Sequence, residues 1–552
     1  MRYPWNQISI GWVTILLLPA TILLTPFLFF LDHFGYSLLD SGTIFSLTII
    51  MGSSLFCSLL MYFGGRILHS IIVAVLITFF IDIQFELIEG AGLWAKYAWL
   101  CTALGVFAIS WMLKENFFLI TTTIFSVFFV VTLGQWFLSR PADDPHFKKP
   151  NPGTVGQYLP RIIHLVLDAH IGIEGIPQDT ALGQEMKADL ESFYQKNGFT
   201  VFGGAYSHFP MTLRSISNYL NFSANPDAAT PQGDPYYDDD GSEPHSLLQN
   251  RYFELLSRQG YIINVWANAL LIDYCSESAV VIENCEVHPP LRMDLLQDSD
   301  LFLVKKLRVV FSHFLNLGYT VPGIGFAYGH FREALSEKGF DLPPWNWSPP
   351  RPLMVLSSLK ALDTLSEKIG TLPPGNVLFS HLIIPHAPFV TRSDCSLNPL
   401  LEQWEIEGGK YSLEQKNTSF SREERYLLYF QQMKCIYRKL DILFEQMRKH
   451  GIFDDSIIII HGDHGSRIGR YDMRAKYLKH LSTRDLEDYF STLFAVKHSN
   501  GKKNYSTIKQ PIEDLLAKTV FPNIEITNKP KESKPFFYFR GKEGRQPRNF
   551  FW

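Results

Sequence analysis

The first 138 residues are long apolar runs with few polar interruptions, whereas the rest of the chain alternates short apolar strands with amphipathic stretches. Five runs, 8–31, 43–63, 67–83, 93–113 and 117–138, approach the ~20 apolar residues that a transmembrane helix needs. The breaks between them are short and hold the few charges. One such run at an N-terminus would suit a signal peptide; five in series predict a five-span transmembrane domain over 1–138. Residues 139–160 are rich in Pro, Gly and charge and read as a linker.

From 161 the period changes. Residues 161–168, Arg-Ile-Ile-His-Leu-Val-Leu-Asp, read as a buried strand ending in a carboxylate. Helices are predicted at 185–197 and 247–259, closed by Gly198 and Gly260, and at 356–369, with strands at 261–265 and 377–384. Ser421-Arg-Glu-Glu424 is a capping box opening a helix to about His450, closed by Gly451. Ser456-Ile-Ile-Ile-Ile-His461 then reads as a fully buried strand. Helices alternating with apolar strands predict an α/β domain over 161–552, its central sheet mostly parallel and covered on both faces. Catalytic groups in such sheets gather beyond the carboxyl ends of strands, where Asp168, His386 and Asp463 fall. The aromatic stretches Phe536–Phe539 and Phe550–Trp552 are expected to pack on this domain, with contact to lipid at the interface as the alternative.

Composition sharpens this division. Of 50 Lys/Arg and 54 Asp/Glu, residues 1–138 hold four and six. Arg2, Arg66 and Lys114 fall in breaks on one side of the runs; Asp32, Asp40, Asp82, Glu86 and Glu89 fall in the alternate breaks, with only Lys96 basic. The excess of basic residues on cytoplasmic loops places the N-terminus inside and the domain after 138 outside. That describes an integral protein of the cytoplasmic (inner) membrane with a periplasmic or extracellular catalytic domain. A net charge of −4 argues against a nucleic-acid binder. Six cysteines are too few for a disulfide scaffold. Cys275 and Cys285 are left with two readings, a disulfide in an oxidising compartment or two free thiols.

The residues with the sharpest chemical signal are Gly462-Asp463-His464-Gly465, directly after the four-isoleucine strand. Asp oxygen and His nitrogen are ligands of Zn²⁺ or Mn²⁺. Flanking glycines allow the sharp turn that lets adjacent side chains reach one ion. Asp168, ending the first strand, is a third ligand candidate from a neighbouring strand. His170 has no such support.

The order of stretches then becomes specific: strand–Asp168; Ser207-His-Phe-Pro-Met-Thr212-Leu-Arg-Ser215; His381-Leu-Ile-Ile-Pro-His386-Ala-Pro388; Asp463-His464-Gly465. This resembles the sulfatase-like branch of the alkaline phosphatase superfamily, and most closely its membrane-anchored phosphoethanolamine and phosphoglycerol (lipoteichoic acid synthase-like) transferases. Those proteins also carry five N-terminal spans and one outer catalytic domain. The resemblance implies Thr212 as nucleophile and Asp168, Thr212, Asp463 and His464 as metal ligands; Asp168 stands where the transferases often have Glu. It implies His386 as a substrate contact and acid. Arg214 and Arg467 are candidate anion contacts, with an ordinary surface charge as the alternative. His381 receives no role. No second-metal His follows Asp463; His480 is nearest, in a context that does not match.

The implied activity is metal-dependent transfer of a phosphorylated lipid head group, from a membrane phospholipid to an acceptor alcohol, through a phospho-threonine intermediate. Mixed N/O ligation favours one Mn²⁺ or Zn²⁺ over Mg²⁺. The alternatives are a membrane-tethered phosphatase or phosphodiesterase using water as acceptor, and a non-catalytic binding protein on the same fold. The last would lack a ligand or the nucleophile, and all four residues are present. Sulfate-ester hydrolysis is disfavoured, because sulfatases oxidise a Cys or Ser to formylglycine and Thr212 cannot yield that aldehyde.

Overall fold

The computed structural model describes residues 5–138 apart from 34–35, 37–39, 86–94 and 114; 159–288 apart from 225–244, 248, 269–271 and 276–281; Leu303, Lys306, Leu307, Val310, Phe311, Phe314 and Ala334; and 350–549 apart from 400–421, 470, 472, 474, 500, 502, 523–534 and 540–547. Most of the expected linker, the Ser421 cap and the terminal Phe550–Trp552 lie outside these residues.

The chain forms two compact units, Met1–Asp143 with Leu291–Pro350, and Asp144–Pro290 with Arg351–Trp552. Residues 291–350, expected in the outer domain, therefore group with the first unit.

The first unit contains α1 (Trp5–His33), α2 (Ser41–Phe85), α3 (Ala95–Leu113) and α4 (Glu115–Leu138). Leu18, Ile22, Met61, Val73, Leu76 and Phe125 meet in its interior. Phe56, Phe63, Ile67, Met112 and Val130 face outward, as lipid contact requires and water does not favour. Among the described residues three helices are long and apolar enough to cross a membrane, Val13–Asp32, Ser41–Ile81 and Glu115–Gly134, and Tyr97–Leu113 is a shorter apolar helix. This corrects the five separate spans expected from the sequence. The second and third runs form one element because the expected loop between them is a single residue, Gly65, at φ 64° and ψ −170°. Helix stops and resumes across that break without an intervening loop.

In the second unit, eight strands form one sheet: β1 (Arg161–Leu167), β2 (Thr200–Phe202), β5 (Ile262–Asn268), β7 (Ile282–His288), β8 (Asn376–Leu382), β9 (Ser456–Gly462), β10 (Phe494–Lys497) and β11 (Asn504–Ser506). Pairs β3 (Ala205–Tyr206) with β12 (Gln510–Pro511), β4 (His245–Ser246) with β6 (Ile272–Asp273), and β13 (Phe536–Phe537) with β14 (Arg548–Asn549) lie apart from it. The sheet order is β11-β2-β10-β9-β1-β8-β5-β7, and only β10 runs antiparallel to its neighbours. Helices cover both faces, so the central strands read as unbroken apolar runs. On one face, Phe193 of α5 (Ala181–Lys196) packs against Tyr437 and Phe444 of the helix Arg422–Lys449. On the other, α6 (Thr212–Tyr219), α7 (Arg251–Arg258) and the helix Ile512–Val520 bury Ile216, Tyr252, Phe253 and Leu516 against Ile162 and Val166.

Boundary differences trace to caps. Helix α5 begins four residues early because Thr180 Oγ1 accepts from Gly183 N (3.1 Å). Helix α7 begins late because Asn250 accepts from Phe253 N (3.0 Å) and fixes the start there. Gly198, Gly260 and Gly451 take φ of 77°, 92° and 67° at helix ends, as expected. Phe536 stacks on His208 (3.9 Å) and Tyr538 on Phe209 (4.9 Å), so this aromatic stretch packs on the domain.

Cys275 and Cys285 are paired, with Cα atoms 6.2 Å apart. Cys395 and Cys435, which the sequence did not single out, form a second disulfide (Cα–Cα 4.9 Å). Cys57 and Cys101, in the apolar helices, are free thiols.

Candidate active site

The site lies at the carboxyl ends of three adjacent parallel strands, β9, β1 and β8. Asp168 follows β1, Asp463 and His464 follow β9, and His381 is the penultimate residue of β8. All four are buried. The backbone turns tightly to place them. Ala169 adopts φ 62°, uncommon for a residue with a Cβ. A Cβ on Gly462 would stand 2.5 Å from the His170 carbonyl, and one on Gly465 2.5 Å from the Asp488 carbonyl. This turn brings the Ala169 N–H onto Asp463 Oδ1 (2.9 Å), where the His464 N–H also donates (2.9 Å). Asp463 is thus held by one oxygen, and its Oδ2 has no hydrogen-bond partner.

Thr212 opens α6. The N-cap is Met211, which offers no side-chain cap, so the Thr212 hydroxyl is not engaged in capping the helix. Its Oγ1 lies 3.4 Å from each Asp168 oxygen and 3.2 Å from His464 Nε2. One turn on, Ser215 Oγ donates to the Asp463 carbonyl (2.5 Å) and ties α6 to the β9 turn.

These separations suit a metal centre. Four ligand atoms arranged tetrahedrally about 2.0–2.1 Å from an ion stand about 3.3–3.4 Å from one another. Thr212 Oγ1 to Asp168 Oδ1 is 3.4 Å, Thr212 Oγ1 to His464 Nε2 3.2 Å, His464 Nε2 to Asp168 Oδ1 3.5 Å, and His464 Nε2 to Asp463 Oδ2 3.3 Å. His381 Nε2 lies 3.9 Å from Asp168 Oδ2 and, like Asp463 Oδ2, is buried without a hydrogen-bond partner. The ligand atoms of Asp168, His381 and Asp463 all fall within 4.8 Å of one another. Two unsatisfied polar atoms in one buried site are costly unless a cation or proton meets them. The donor set therefore fits a divalent ion.

Electrostatics point the same way. Burial, reinforced by the neighbouring Asp168, pushes the Asp463 carboxyl up to about 7. Burial, with Arg467 next, holds His464 well below the usual histidine range, and burial lowers His381 to about 3. Both imidazoles are therefore neutral at pH 7: the His381 Nε2 lone pair has no hydrogen-bond partner, whereas that of His464 accepts from Arg467 (2.6 Å), which must release it for His464 to ligate an ion. A sign follows for metal binding. Below about 7 the ion must displace a proton from Asp463; above it the carboxylate is already charged. Affinity is expected to fall about tenfold per pH unit below that point and to level off above it, with about one proton released per ion at pH 6. Calorimetry in two buffers of different ionisation enthalpy checks this.

His381 carries a further requirement. Its Nδ1 lies 2.9 Å from the Tyr274 hydroxyl. When Nδ1–H donates to that oxygen, the Nε2 lone pair faces the carboxylates, the arrangement by which outer partners orient metal-binding histidines. Tyr274→Phe is expected to weaken metal binding about 10–100-fold while leaving the ligands in place. A chelator competition titration measures it.

At the open side, Arg467 holds φ 58°, with its N–H donating to the Asp488 carbonyl (2.8 Å). Its guanidinium donates to His464 Nε2 (2.6 Å) and the Pro210 carbonyl (3.1 Å), and stands 3.4 Å from His386 Nε2. His386, half-buried, is flanked by two cis prolines, Pro385 and Pro388. The structure thus brings Asp168, Thr212, Asp463, His464, His386 and Arg467 together. Arg214 is buried within α6, so neither arginine is the ordinary surface charge that the sequence left open. His170 is tied to the Ile171 carbonyl (2.8 Å) and the Tyr437 hydroxyl (2.9 Å), a packing role. His480 is exposed at the end of Ala475–His480, beside Tyr471. His381 was the residue the sequence did not assign. Its signal was a lone imidazole at the carboxyl end of a mostly apolar buried strand, close to the place that Asp168 occupies on β1.

No family model matches the chain, and no curated protein matches it. Solved structures similar to it include the C-terminal periplasmic domain of EcEptC from Escherichia coli in complex with Zn (9% identity, 71% of this chain, 92% of that chain, TM-score 0.39). Another is the phosphonate monoester hydrolase of Agrobacterium radiobacter (12% identity, 70% and 82% covered, TM-score 0.38). A third is the putative sulfatase yidJ from Bacteroides fragilis (13% identity, 73% and 83% covered, TM-score 0.34). At these identities the chemistry rests on the residues of the site itself.

Proposed function

We propose that the protein is a membrane-embedded, metal-dependent transferase. It moves a phosphorylated lipid head group, of phosphoethanolamine or phosphoglycerol type, from a phospholipid to an acceptor alcohol through phospho-Thr212. The observation that carries this reading is the Thr212 hydroxyl, buried 3.2–3.4 Å from Asp168 and His464 at a site where Asp463 Oδ2 and His381 Nε2 have no hydrogen-bond partner.

Asp168, Thr212, Asp463 and His464 would hold one divalent ion, Zn²⁺ or Mn²⁺, with His381 beside them. When bound, the ion lowers the pKa of the Thr212 hydroxyl and offsets negative charge on a phosphoryl oxygen. Thr212 Oγ1, its proton passed to solvent, attacks phosphorus as the alkoxide, and the bond from phosphorus to the diacylglycerol oxygen breaks. His386 donates the proton that the leaving alkoxide takes up. In the second half the acceptor hydroxyl gives its proton to His386 and attacks phosphorus, the bond from phosphorus to Oγ1 breaks, and Thr212 returns as the alkoxide. Arg467 and Arg214 stabilise charge on the phosphoryl oxygens.

The setting supports a lipid donor. Apolar helices precede the catalytic unit, and three of those described are long and apolar enough to cross a membrane. Both cysteine pairs of the catalytic unit are oxidised while the thiols in the apolar helices are free, which favours a catalytic domain outside the cytoplasmic membrane.

The test is product analysis in lipid nanodiscs with divalent metal, with and without added glycan or glycerol-type acceptors. Head group appearing on the acceptor supports transfer. Release of free head group regardless of acceptor replaces transfer with hydrolysis, and turnover that survives chelation overturns the metal-dependent reading.

A further inference from the structure

Residues 303–314 lie, in sequence, between two segments of the catalytic unit, yet they group with the apolar helices. The described positions among them, Leu303, Lys306, Leu307, Val310, Phe311 and Phe314, are all helical, and a helix sets residues at these spacings on one stripe. The stripe has a definite seat. Phe314 packs edge-on to Phe27 (5.0 Å) and against Phe30 (5.2 Å) of α1, and Phe311 stacks on Phe27 (6.2 Å). Val310 and Phe314 are buried there, while Leu303, Leu307 and Phe311 remain half-buried. At the other end of the stripe Lys306 Nζ meets Asp40 Oδ1 (3.1 Å), both side chains 12% exposed. Asp40 Oδ2 meanwhile accepts from Gly42 N (2.8 Å) and Thr43 N (3.2 Å) and opens α2.

The depth of this seat can be worked out. The apolar span of α1 ends at Asp32, and Phe27 and Phe30 lie in its last two turns. At 1.5 Å per residue Phe27 is about 7–8 Å below the end of the span. A helix whose apolar face reaches that level, with a Lys at the level of the connecting turn, has the placement of an interfacial helix buried about 5–10 Å into the headgroup boundary.

We infer that Leu303, Lys306, Leu307, Val310, Phe311 and Phe314 form an interfacial, membrane-facing helical stripe: it clasps the start of α2 and the end of α1 through Phe311, Phe314 and Lys306, and it presents Leu303, Leu307 and Phe311 to lipid. The inference rests on α1 crossing the membrane. It supplies a second, chain-internal anchor by which the catalytic chain stays at the surface where a phospholipid donor is presented. It also places the α1–α2 turn in the compartment from which this segment approaches, which agrees with the N-terminus lying on the opposite side.

The test uses the full chain in phosphatidylethanolamine/phosphatidylglycerol nanodiscs, with the two free thiols removed by Cys57→Ala and Cys101→Ala. Single nitroxide labels are placed through Phe29→Cys on the exposed face of α1, Leu307→Cys, and Ile508→Cys on an exposed loop of the catalytic unit. Each labelled protein is first checked to be monodisperse with the melting temperature of its parent. The ratio of collision rates with oxygen and with a charged nickel chelate is then read. At Phe29 and Leu307 it is expected to exceed that at Ile508 by about fivefold or more, because charged complexes are excluded from the apolar layer. A lipid signal at Phe29 with a water signal at Leu307 overturns the interfacial helix and leaves the membrane reading intact. A water signal at both overturns both. The clasp is tested by oxidation of a Phe27→Cys/Phe311→Cys pair. The cross-link is expected to form, to fall several-fold on adding Lys306→Glu, which sets like charges against each other while sparing the α2 cap, and to recover with Asp40→Lys. A cross-link indifferent to Lys306→Glu overturns the role given to the ion pair.

Discussion

Thr212→Ala is expected to lower turnover by about 10⁴–10⁶-fold, the range seen when a covalent nucleophile is removed. It should also abolish the covalent adduct. Wild type incubated with divalent metal and phospholipid gains a mass equal to the phosphorylated head group, and Thr212→Ala gains none; intact-protein mass spectrometry reads both. The size of the increment names the head group. The loss cannot be assigned to unfolding. Thr212 is the first helical residue, its cap is Met211, and alanine is the stronger helix former, so the melting temperature should stay within a few degrees. Thr212→Ser keeps the hydroxyl and should keep both adduct and measurable turnover. An adduct that persists in Thr212→Ala would falsify the assignment of the nucleophile.

Asp463→Asn separates the two oxygens of one side chain. Asn keeps an Oδ1 able to accept from the Ala169 and His464 N–H groups, so the turn is preserved. It places an NH₂ donor where Oδ2 has no partner, and a donor repels a cation. Metal affinity is expected to fall by at least about a hundredfold and turnover with it. Stability of the metal-free protein should move the other way. Asp463 titrates at about 7 in the folded chain, above the ordinary carboxylate range near 3.9 for an unfolded one. The folded state therefore holds its proton longer, and the metal-free wild type loses stability as pH rises from about 4 to about 7, by a few kcal/mol in all. Asn carries no charge to bury. The chelator-treated mutant should equal wild type near pH 4 and be the more stable above pH 7, with the opposite order when metal is saturating. Melting curves across that range, with and without metal, decide it; a metal-free mutant that melts lower than wild type at pH 8 would remove the buried-charge account.

Much of this was legible in local sequence. The strand at 456–461 and the helix before it announce themselves by apolar period and by glycine at the cap. So does the mostly parallel sheet, since strands buried on both faces must read as unbroken apolar runs. The candidate ligands Asp168, Asp463 and His464 were recognisable because each sits at a strand end with distinctive neighbours, and Thr212 as candidate nucleophile only through the resemblance of the whole order of stretches. The boundaries of α5 and α7 were not, because Thr180 and Asn250 act through hydrogen bonds whose geometry the residue types alone leave open.

By itself the sequence determined the division into an apolar half and an α/β half, the strand ends that carry chemistry, and the residue types offered to a metal. Those are local properties, set by burial periodicity and side-chain chemistry over a few residues. The tertiary structure alone decided that His381 joins the site, because β8 happens to lie beside β1 with His381 opposite Val166. It alone decided that Cys395 meets Cys435, that Arg467 turns onto His464 and His386, and that residues 303–314 seat on α1. Each joins groups distant in the chain or depends on one backbone torsion. The free energy that selects such pairings comes from packing of the whole domain, which no short stretch of sequence contains.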